Sequence, residues 1–180
     1  MRAFKSISLI FTVLLVSFSP PSLPAASSPE QVVKEYMAAL KAEGMGAVAR
    51  YIHPDELKRF KAMLMPMLRR DATQKSEVIR GLFGADATLA SVEAMPPSDF
   101  LSSFMRIAGE QLEDAKIGDV EILGSVRENE TVHVVARTGT SIKGVTIKGM
   151  EVISVKRAGA DWKLALSGDL EGMAAALSAM

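Results

Sequence analysis

Glu151 is the residue whose predicted surroundings could change its chemistry most. The strand pairing predicted below places it between Ala136 and Leu166, on a face that is otherwise apolar. A carboxyl group held there would lose part of its hydration, and burial raises the pKa of a carboxyl group. Such a group could act as a general base or anchor a ligand. The alternative is that Gly149 bends or bulges the strand and turns Glu151 to solvent.

A phenol, an imidazole and a carboxylate follow one another at Tyr51, His53 and Asp55. His53 is placed at the start of a predicted helix, where the pKa of an imidazole could fall. If the protein is an enzyme, the candidate catalytic residues are therefore Glu151 as base, with Tyr36 or Tyr51 as hydrogen-bond donor, and His53. The simpler interpretation is a capping histidine beside a surface acid, because no third group orients the imidazole.

Three methionines alternate at Met63, Met65 and Met67, and thioether sulfur is a ligand that Cu(I) prefers. In a helix, however, only Met63 and Met67 share a face. The chain has 11 methionines, two histidines and no cysteine, so we expect these residues to fill the core. We find no glycine-rich phosphate loop, nucleophile elbow or zinc motif, and we predict no metal and no cofactor.

A four-stranded antiparallel meander is predicted from about 116 to 168, and it must position these residues. A turn at Lys143-Gly144 pairs Val134 with Ile153, and a turn at Ala158-Gly159 pairs Val155 with Trp162. A three-residue turn at 128–130 pairs Val126 with Val132. One face then collects the apolar residues Val120, Ile122, Val126, Val132, Val134, Ala136, Ile153, Val155, Trp162, Leu164 and Leu166. His133 is predicted on the opposite face, so it cannot form a dyad with Glu151.

Helices are predicted from about 28 to 112, with a short C-terminal helix after the sheet. Ser28, Pro29 and Gln31 form a helix start, and Gly44 is a helix stop. The next helix carries an apolar stripe, and Pro66 should kink it or end it early. The fold class is therefore α+β, with N-terminal helices packed on a curved four-stranded sheet.

The outer face of the predicted sheet is not cleanly polar, since it carries Leu123, Val135, Met150 and Val152. A solvated face of an antiparallel sheet alternates better than this. We therefore expect a partner subunit, in a homodimer, or the C-terminal helix to cover part of it.

Residues 1–26 have the pattern of a cleavable signal peptide. Arg2 and Lys5 precede an apolar run at 7–18, three prolines follow, and Ala25-Ala26 offers a cleavage site. We therefore predict a periplasmic or secreted protein whose single domain spans 27–180, and an uncleaved anchor is the alternative. Membrane contact is expected only through this segment before cleavage. The formal net charge is zero, which gives no electrostatic footprint for nucleic acid.

The chain resembles the NTF2-like superfamily, cone-shaped α+β domains that include ketosteroid isomerase and scytalone dehydratase. The resemblance is carried by the opening helix at 29–40, a short helix ending at Tyr51, and the closing strand at 159–164. Helical sequence from about 56 to 95 stands where this superfamily has a strand pair. The resemblance implies a pocket between helices and sheet, which we expect to be lined by Tyr36, Leu64, Met67, Phe104, Val134, Ile153, Trp162 and Leu164.

Three functions remain open from the sequence. The first is an exported, non-catalytic module that binds a small apolar ligand, such as a lipid, or a protein partner, because exported relatives of this kind include lipid-carrying periplasmic components. The second is an isomerase- or dehydratase-like enzyme that uses Glu151 as base. The third is a structural factor of the cell envelope without a pocket.

Overall fold

The computed structural model describes residues 27–74, 77–110 and 115–179, and the predicted signal segment lies outside them. Within these ranges the chain is α+β, and its helices pack against a curved antiparallel sheet. The elements in order are α1 (Pro29–Glu43), a 3₁₀ helix (Met45–Tyr51), α2 (Pro54–Gln74), α3 (Val78–Phe83), α4 (Leu89–Ala94), α5 (Pro97–Glu110), β1 (Ala115–Ile117), β2 (Glu121–Glu128), β3 (Thr131–Ile142), β4 (Val145–Ala158), β5 (Asp161–Leu164) and α6 (Gly168–Ala179).

The ends of α1 follow the predicted capping pattern. The Ser28 hydroxyl oxygen accepts a hydrogen bond from the Gln31 N–H at 3.2 Å, which satisfies one of the free donors of the first turn. Gly44 ends the helix with a φ of 82°, a conformation that glycine adopts without strain. Between these ends, Val33 and Met37 are buried against the rest of the core.

The predicted stripe of α2 is confirmed, because Phe60, Leu64 and Leu68 are completely buried. The prediction that Pro66 could end this helix early is wrong, since the helix runs through to Gln74. Proline removes one backbone hydrogen bond from a helix interior. The buried side chains on both sides of Pro66 supply packing that offsets this loss.

The pairing of β3 with β4 is confirmed residue by residue. Val134 pairs with Ile153, and Ala136 pairs with Glu151. The turn between these strands is Lys143-Gly144, and both residues have positive φ, at 49° and 83°. Two consecutive residues with positive φ form the hairpin turn that matches the twist of the strands.

The predicted pairing of β4 with β5 is wrong by two residues. Val155 pairs with Leu164 rather than with Trp162, because the two-residue turn is Gly159-Ala160. Gly159 has the positive φ, 65°, that this turn uses. Because side chains alternate with a period of two, a shift of two residues leaves each side chain on its predicted face. Trp162 and Leu164 are accordingly both buried.

The predicted position of Val126 is wrong. The turn before β3 has two residues, Asn129 and Glu130, so that Val126 pairs with His133. This one-residue shift moves Val126 to the outer face, where it is 64% exposed. A bulge between Ile122 and Gly124 then restores the alternation, and Ile122 returns to the inner face opposite Ala136.

The described sheet has a fifth strand that was not predicted. The chain leaves the sheet after β1 and re-enters it at β2, and both strands pair with β3. At this interruption the Gly118 N–H donates to the Gly139 carbonyl oxygen at 2.7 Å. A Cβ atom on Gly118 would lie 3.0 Å from the same oxygen, a contact so tight that the Gly139 backbone would have to shift by a few tenths of an ångström.

The helices cover only part of the sheet. The inner side chains of β3 from Val132 to Thr138 are buried, as is Val155 of β4. By contrast, every residue of β4 from Val145 to Val152 is exposed. One end of the β3–β4 hairpin therefore extends beyond the helical layer with both of its faces open.

The C-terminal helix α6 packs on α2. The Arg70 side chain donates to the Ser178 carbonyl oxygen at 3.0 Å, and the Ser178 hydroxyl donates to the Met63 carbonyl oxygen at 2.8 Å. These bonds hold α6 along the helical layer, so the first turn of α6 comes close to the end of β5.

Candidate functional site

A cavity of about 640 Å³ lies between α1, the 3₁₀ helix, the inner face of the sheet and the first turn of α6. It is open to solvent on one side. Its wall is mostly apolar, with Met37, Leu40, Met45, Val48, Ile52, Met105, Ile117, Ile153, Leu164, Leu166 and Leu170. The volume and the composition are those of a site for a small molecule.

A group of three polar side chains is part of this wall. The Thr138 hydroxyl, on buried Thr138 of β3, donates to Glu151 Oε1 at 2.8 Å. Tyr36 lines the same cavity from α1. The carboxylate accepts hydrogen bonds and the phenol donates one, so a ligand could bind to both.

The electrostatics of Tyr36 link it to Glu151. Burial raises the pKa of the Tyr36 phenol above its ordinary value of 10.0, and the negative charge of Glu151 raises this pKa further. Both effects disfavour the phenolate, because it would be poorly hydrated and would face another negative charge. Tyr36 is therefore a hydrogen-bond donor in this cavity at neutral pH.

Glu151 lies on the inner face, as the predicted pairing requires, but it is exposed. The alternative is half right: Glu151 is exposed to solvent, but no bulge at Gly149 causes this, because Thr138 pairs with Gly149 in an unbroken ladder. The prediction that the Glu151 carboxyl group is partly buried and loses hydration is wrong, because this residue is exposed. Glu151 belongs to the part of β4 that extends beyond the helices, so water reaches it through the open side of the cavity.

The other candidate catalytic residues have structural contacts. The Tyr51 ring packs edge-on against Tyr36, with 6.0 Å between ring centroids, and Tyr51 is not among the described residues that line the cavity. His53 Nδ1 accepts the Asp55 N–H at 3.2 Å, and His53 Nε2 lies 3.0 Å from the Arg157 carbonyl oxygen. Both ring nitrogens are thus occupied by backbone groups, which fixes the imidazole as a cap of α2.

The predicted pocket-lining residues divide between the cavity and the core. Tyr36, Ile153 and Leu164 line the cavity. The remaining five are buried in the core between helices and sheet, namely Leu64, Met67, Phe104, Val134 and Trp162. The cavity therefore lies nearer to the open end of the sheet than the sequence predicted.

No group of three or more His, Cys, Asp or Glu side chains is placed to hold a metal ion in the part of the chain that the structure describes. Met65 and Met67 are buried in the core, and Met63 packs against it. His133 lies across the sheet from Glu151, with Ser154 Oγ 2.9 Å from Nδ1 and Glu128 Oε2 3.1 Å from Nε2.

A buried carboxylate on α2 links this helix to β4 and, through Arg59, to α6, whose first turn borders the cavity. Glu56 is 7% exposed, with Lys156 Nζ 2.6 Å from its Oε1 and Arg59 Nη2 2.7 Å from its Oε2. Arg59 also pairs with Glu171 of α6. Burial acts to raise the pKa of Glu56, but the hydrogen bond and charge of Lys156, with the charge of Arg59, outweigh it and hold this pKa below its ordinary value.

Sequence reasoning missed Thr138 and the role of α6 in the cavity. The signal for Thr138 was its even position in β3, which places it on the inner face beside Ala136. The expectation that the C-terminal helix covers part of the outer face is wrong, because α6 packs on α2 and its first turn borders the cavity at the inner face.

Searches with this chain against protein-family models, curated proteins and solved structures found no match. Over residues 27–74, 77–110 and 115–179, no helix combines the length and the apolar character that crossing a bilayer requires.

Proposed function

We propose that this protein is a non-catalytic module that binds a small amphipathic molecule in the cavity between its helices and its sheet. The observation that carries the proposal is a cavity of about 640 Å³ with a mostly apolar wall that also holds a phenol, a hydroxyl and a carboxylate. Ligand pockets are typically about 300–1,000 Å³, mostly apolar, with a few placed polar groups. The α+β architecture with a curved sheet supports, at the level of the fold, the proposed membership of the NTF2-like superfamily.

The polar groups define the ligand's head group. Glu151 offers an acceptor and a negative charge, Thr138 an oxygen lone pair, and Tyr36 a donor. A head group that both donates and accepts hydrogen bonds could bind to these three side chains. An alcohol, or a protonated amine next to an oxygen atom, is such a group. An anionic head group is disfavoured, since it would face Glu151. The apolar body of the ligand would lie against Leu40, Ile153 and the other aliphatic side chains of the wall.

The proposed location is the cell envelope or the exterior, on the sequence pattern of residues 1–26. A carrier of a small apolar molecule suits that location, because such a molecule needs shielding from water between membranes or outside the cell.

Native mass spectrometry of the protein purified from its own envelope tests this proposal. We expect a bound small molecule that is lost in Leu40→Trp, which fills the cavity, and weakened by a few-fold to tenfold in Tyr36→Phe and Glu151→Gln. The matched control is Val126→Trp, which adds the same side chain to the outer face. An empty protein, or a ligand retained in Leu40→Trp, contradicts the proposal.

One observation favours the enzyme alternative, which is that the Tyr36 phenol and the Glu151 carboxylate line the same cavity. In that function Glu151 removes a proton from a carbon acid, and Tyr36 donates to the oxygen on which negative charge develops. Ring-ketone isomerisation and dehydration are the reactions to assay. Turnover that falls by about a hundredfold or more in both Glu151→Gln and Tyr36→Phe would establish this function instead.

A further inference from the structure

One edge of β4 has no neighbouring strand over most of its length. β5 pairs with β4 only from Val155 to Ala158, and the bond from the Ala165 N–H to the Ser154 carbonyl oxygen is the next on that side. From Val145 to Ile153, no described strand lies beside this edge. At about 3.3 Å per residue, this stretch of nine residues leaves roughly 30 Å of the strand without a neighbour on that side.

The backbone groups on this edge can be identified from the alternation of the ladder. The Ser154 carbonyl oxygen points away from β3, towards Ala165. Since backbone direction alternates along a strand, the N–H and C=O groups of Thr146, Lys148, Met150 and Val152 also point away from β3. An edge that presents unpaired donors and acceptors in a row is a template for another strand.

The side chains along this edge are unusually apolar for a solvated strand. Val145, Ile147, Met150 and Val152 are exposed by 65%, 61%, 73% and 64%. They project to both faces of the sheet, so a strand added at this edge would cover side chains above and below it. Lys148 is the single cation among the nine residues, which is weak protection against edge pairing.

We propose that the edge of β4 pairs in antiparallel orientation with β4 of a second copy of this chain. A twofold axis requires each residue to pair with its mirror position about the centre of the segment. The longest such pairing uses Val145–Ile153, because Ala165 already bonds to the next residue, Ser154. Gly149 is the centre of this segment. The resulting cross-strand pairs are Val145 with Ile153, Thr146 with Val152, Ile147 with Glu151, and Lys148 with Met150.

This register is self-complementary. Apolar or β-branched side chains meet at both ends, and no two like charges face each other directly. Gly149 leaves the axis free of side chains, and no atom lies within 4 Å of the place where its Cβ would be. The even-numbered residues would form about eight new backbone hydrogen bonds. A ladder of this length lies at the small end of specific interfaces, so we expect dissociation in the micromolar range.

The pairing would also complete the cavity. Val152, Ile153 and Ser154 line the cavity, at the end of the free edge. The second copy's Val145 would lie beside Ile153 there, so that the hairpin turn of each copy forms part of the other's cavity rim. The dimer itself does not depend on the proposed ligand, so cross-linking and sedimentation of the protein without added ligand test it independently of the proposed function.

The first experiment uses the absence of cysteine from the chain. In the proposed register Gly149 faces its own copy in a non-hydrogen-bonded pair, with about 4.5 Å between Cα atoms, a distance that a disulfide can span. We expect Gly149→Cys to form a covalent dimer on mild oxidation. Val126→Cys, which is also exposed but lies on the outer face of β2, should stay monomeric. No cross-link at Gly149→Cys, or equal cross-linking of both variants, overturns the proposal.

The second experiment removes one donor from the edge. The Met150 N–H points away from β3, so Met150→Pro takes no hydrogen bond from the folded chain. Sedimentation of the full chain should show dimers for wild type and for the control Met150→Ala, and at least about tenfold weaker dimerisation for Met150→Pro. Circular dichroism verifies that each variant is folded. A wild type that is monomeric at every concentration, or a folded proline variant that dimerises as wild type does, refutes the edge pairing.

Discussion

Replacing Lys156 with methionine tests how α2 is held to the sheet and to α6. In wild type, the buried carboxylate of Glu56 lies between the ammonium group of Lys156 and the guanidinium group of Arg59. Arg59 also forms an ion pair with Glu171 on α6. Lys156→Met leaves that carboxylate buried with one cation instead of two. Glu56→Met removes the carboxylate itself and leaves Lys156 free to reach water.

Lys156→Met should therefore lower the free energy of unfolding more than Glu56→Met does, although Glu56→Met removes more ionic contacts. Removing one partner of a fully buried ion pair costs about 3–5 kcal/mol, because the other charge stays desolvated. The Lys156 side chain is 41% exposed, so solvent screens the pair, and Arg59 remains. We therefore expect Lys156→Met to lower the free energy of unfolding by about 2 kcal/mol. Glu56→Met should lower it by about 1 kcal/mol or less, because it leaves no buried charge.

Urea unfolding at neutral pH, followed by circular dichroism, measures both values. The double variant Glu56→Met with Lys156→Met should be more stable than Lys156→Met alone, since the uncompensated carboxylate is gone. If Glu56→Met is the more destabilising single change, or if the double variant is the least stable of the three, the burial argument is refuted.

The same variants should respond to pH in a defined direction. The folded pKa of Glu56 lies below the ordinary value of 4.5, so its ionised form stabilises the folded chain. This contribution is complete above pH 4.5 and is lost as the pH falls through the folded pKa. The difference between wild type and Lys156→Met should therefore hold near neutral pH and shrink below pH 4.5. A difference that grows on acidification contradicts the assignment.

Three further predictions concern other parts of the chain. Gly118→Ala should lower the free energy of unfolding by about 1–3 kcal/mol, because its Cβ would lie 3.0 Å from the Gly139 carbonyl oxygen. Phe60→Ala should lower it by about 3–5 kcal/mol, since this ring is completely buried. The pKa of the Tyr36 phenol should lie above 10.0 in an ultraviolet titration and fall in Glu151→Gln, which removes the negative charge that raises it.

Each of these has a matched control. Gly124→Ala places its new methyl group in open space, so it should change stability much less than Gly118→Ala. Val126→Ala truncates a side chain that is mostly exposed, and it should stay within about 0.5 kcal/mol of wild type. Tyr51→Phe leaves Tyr36 as the remaining tyrosine and isolates its titration. Equal stability losses in Gly118→Ala and Gly124→Ala, or in Phe60→Ala and Val126→Ala, would contradict the corresponding structural reason. A Tyr36 pKa that does not fall when Glu151→Gln is added to Tyr51→Phe would contradict the third.

The pairing of β3 with β4 could be predicted because two local signals agree there. Lys143-Gly144 permits a two-residue turn, and apolar residues alternate on both sides of it. The pairing of β2 was predicted wrongly because the apolar Val126 fits an inner position, so a three-residue turn was inferred from it. A β-bulge near Leu123 compensates for the shorter turn, and bulges leave no consistent mark in a single sequence.

The candidate site could be predicted only in part. Tyr36 and Glu151 were inferred from helix and strand periodicity, and the structure brings both to one cavity. The extent of the cavity could not be inferred, because it depends on where the helical layer ends and where α6 folds back. Those positions are set by long-range contacts such as Lys156 with Glu56, which are 100 residues apart.

The fold-back of α6 has a practical consequence for work on this protein. Its first residues, Gly168 to Leu170, border the cavity, while Ser178 anchors its last turn to α2. A protease that trims this helix, or a bulky fusion placed directly after it, would therefore disturb a wall of the cavity that lies at the other end of the helix. Affinities obtained with C-terminally tagged protein should be compared with those of protein tagged elsewhere.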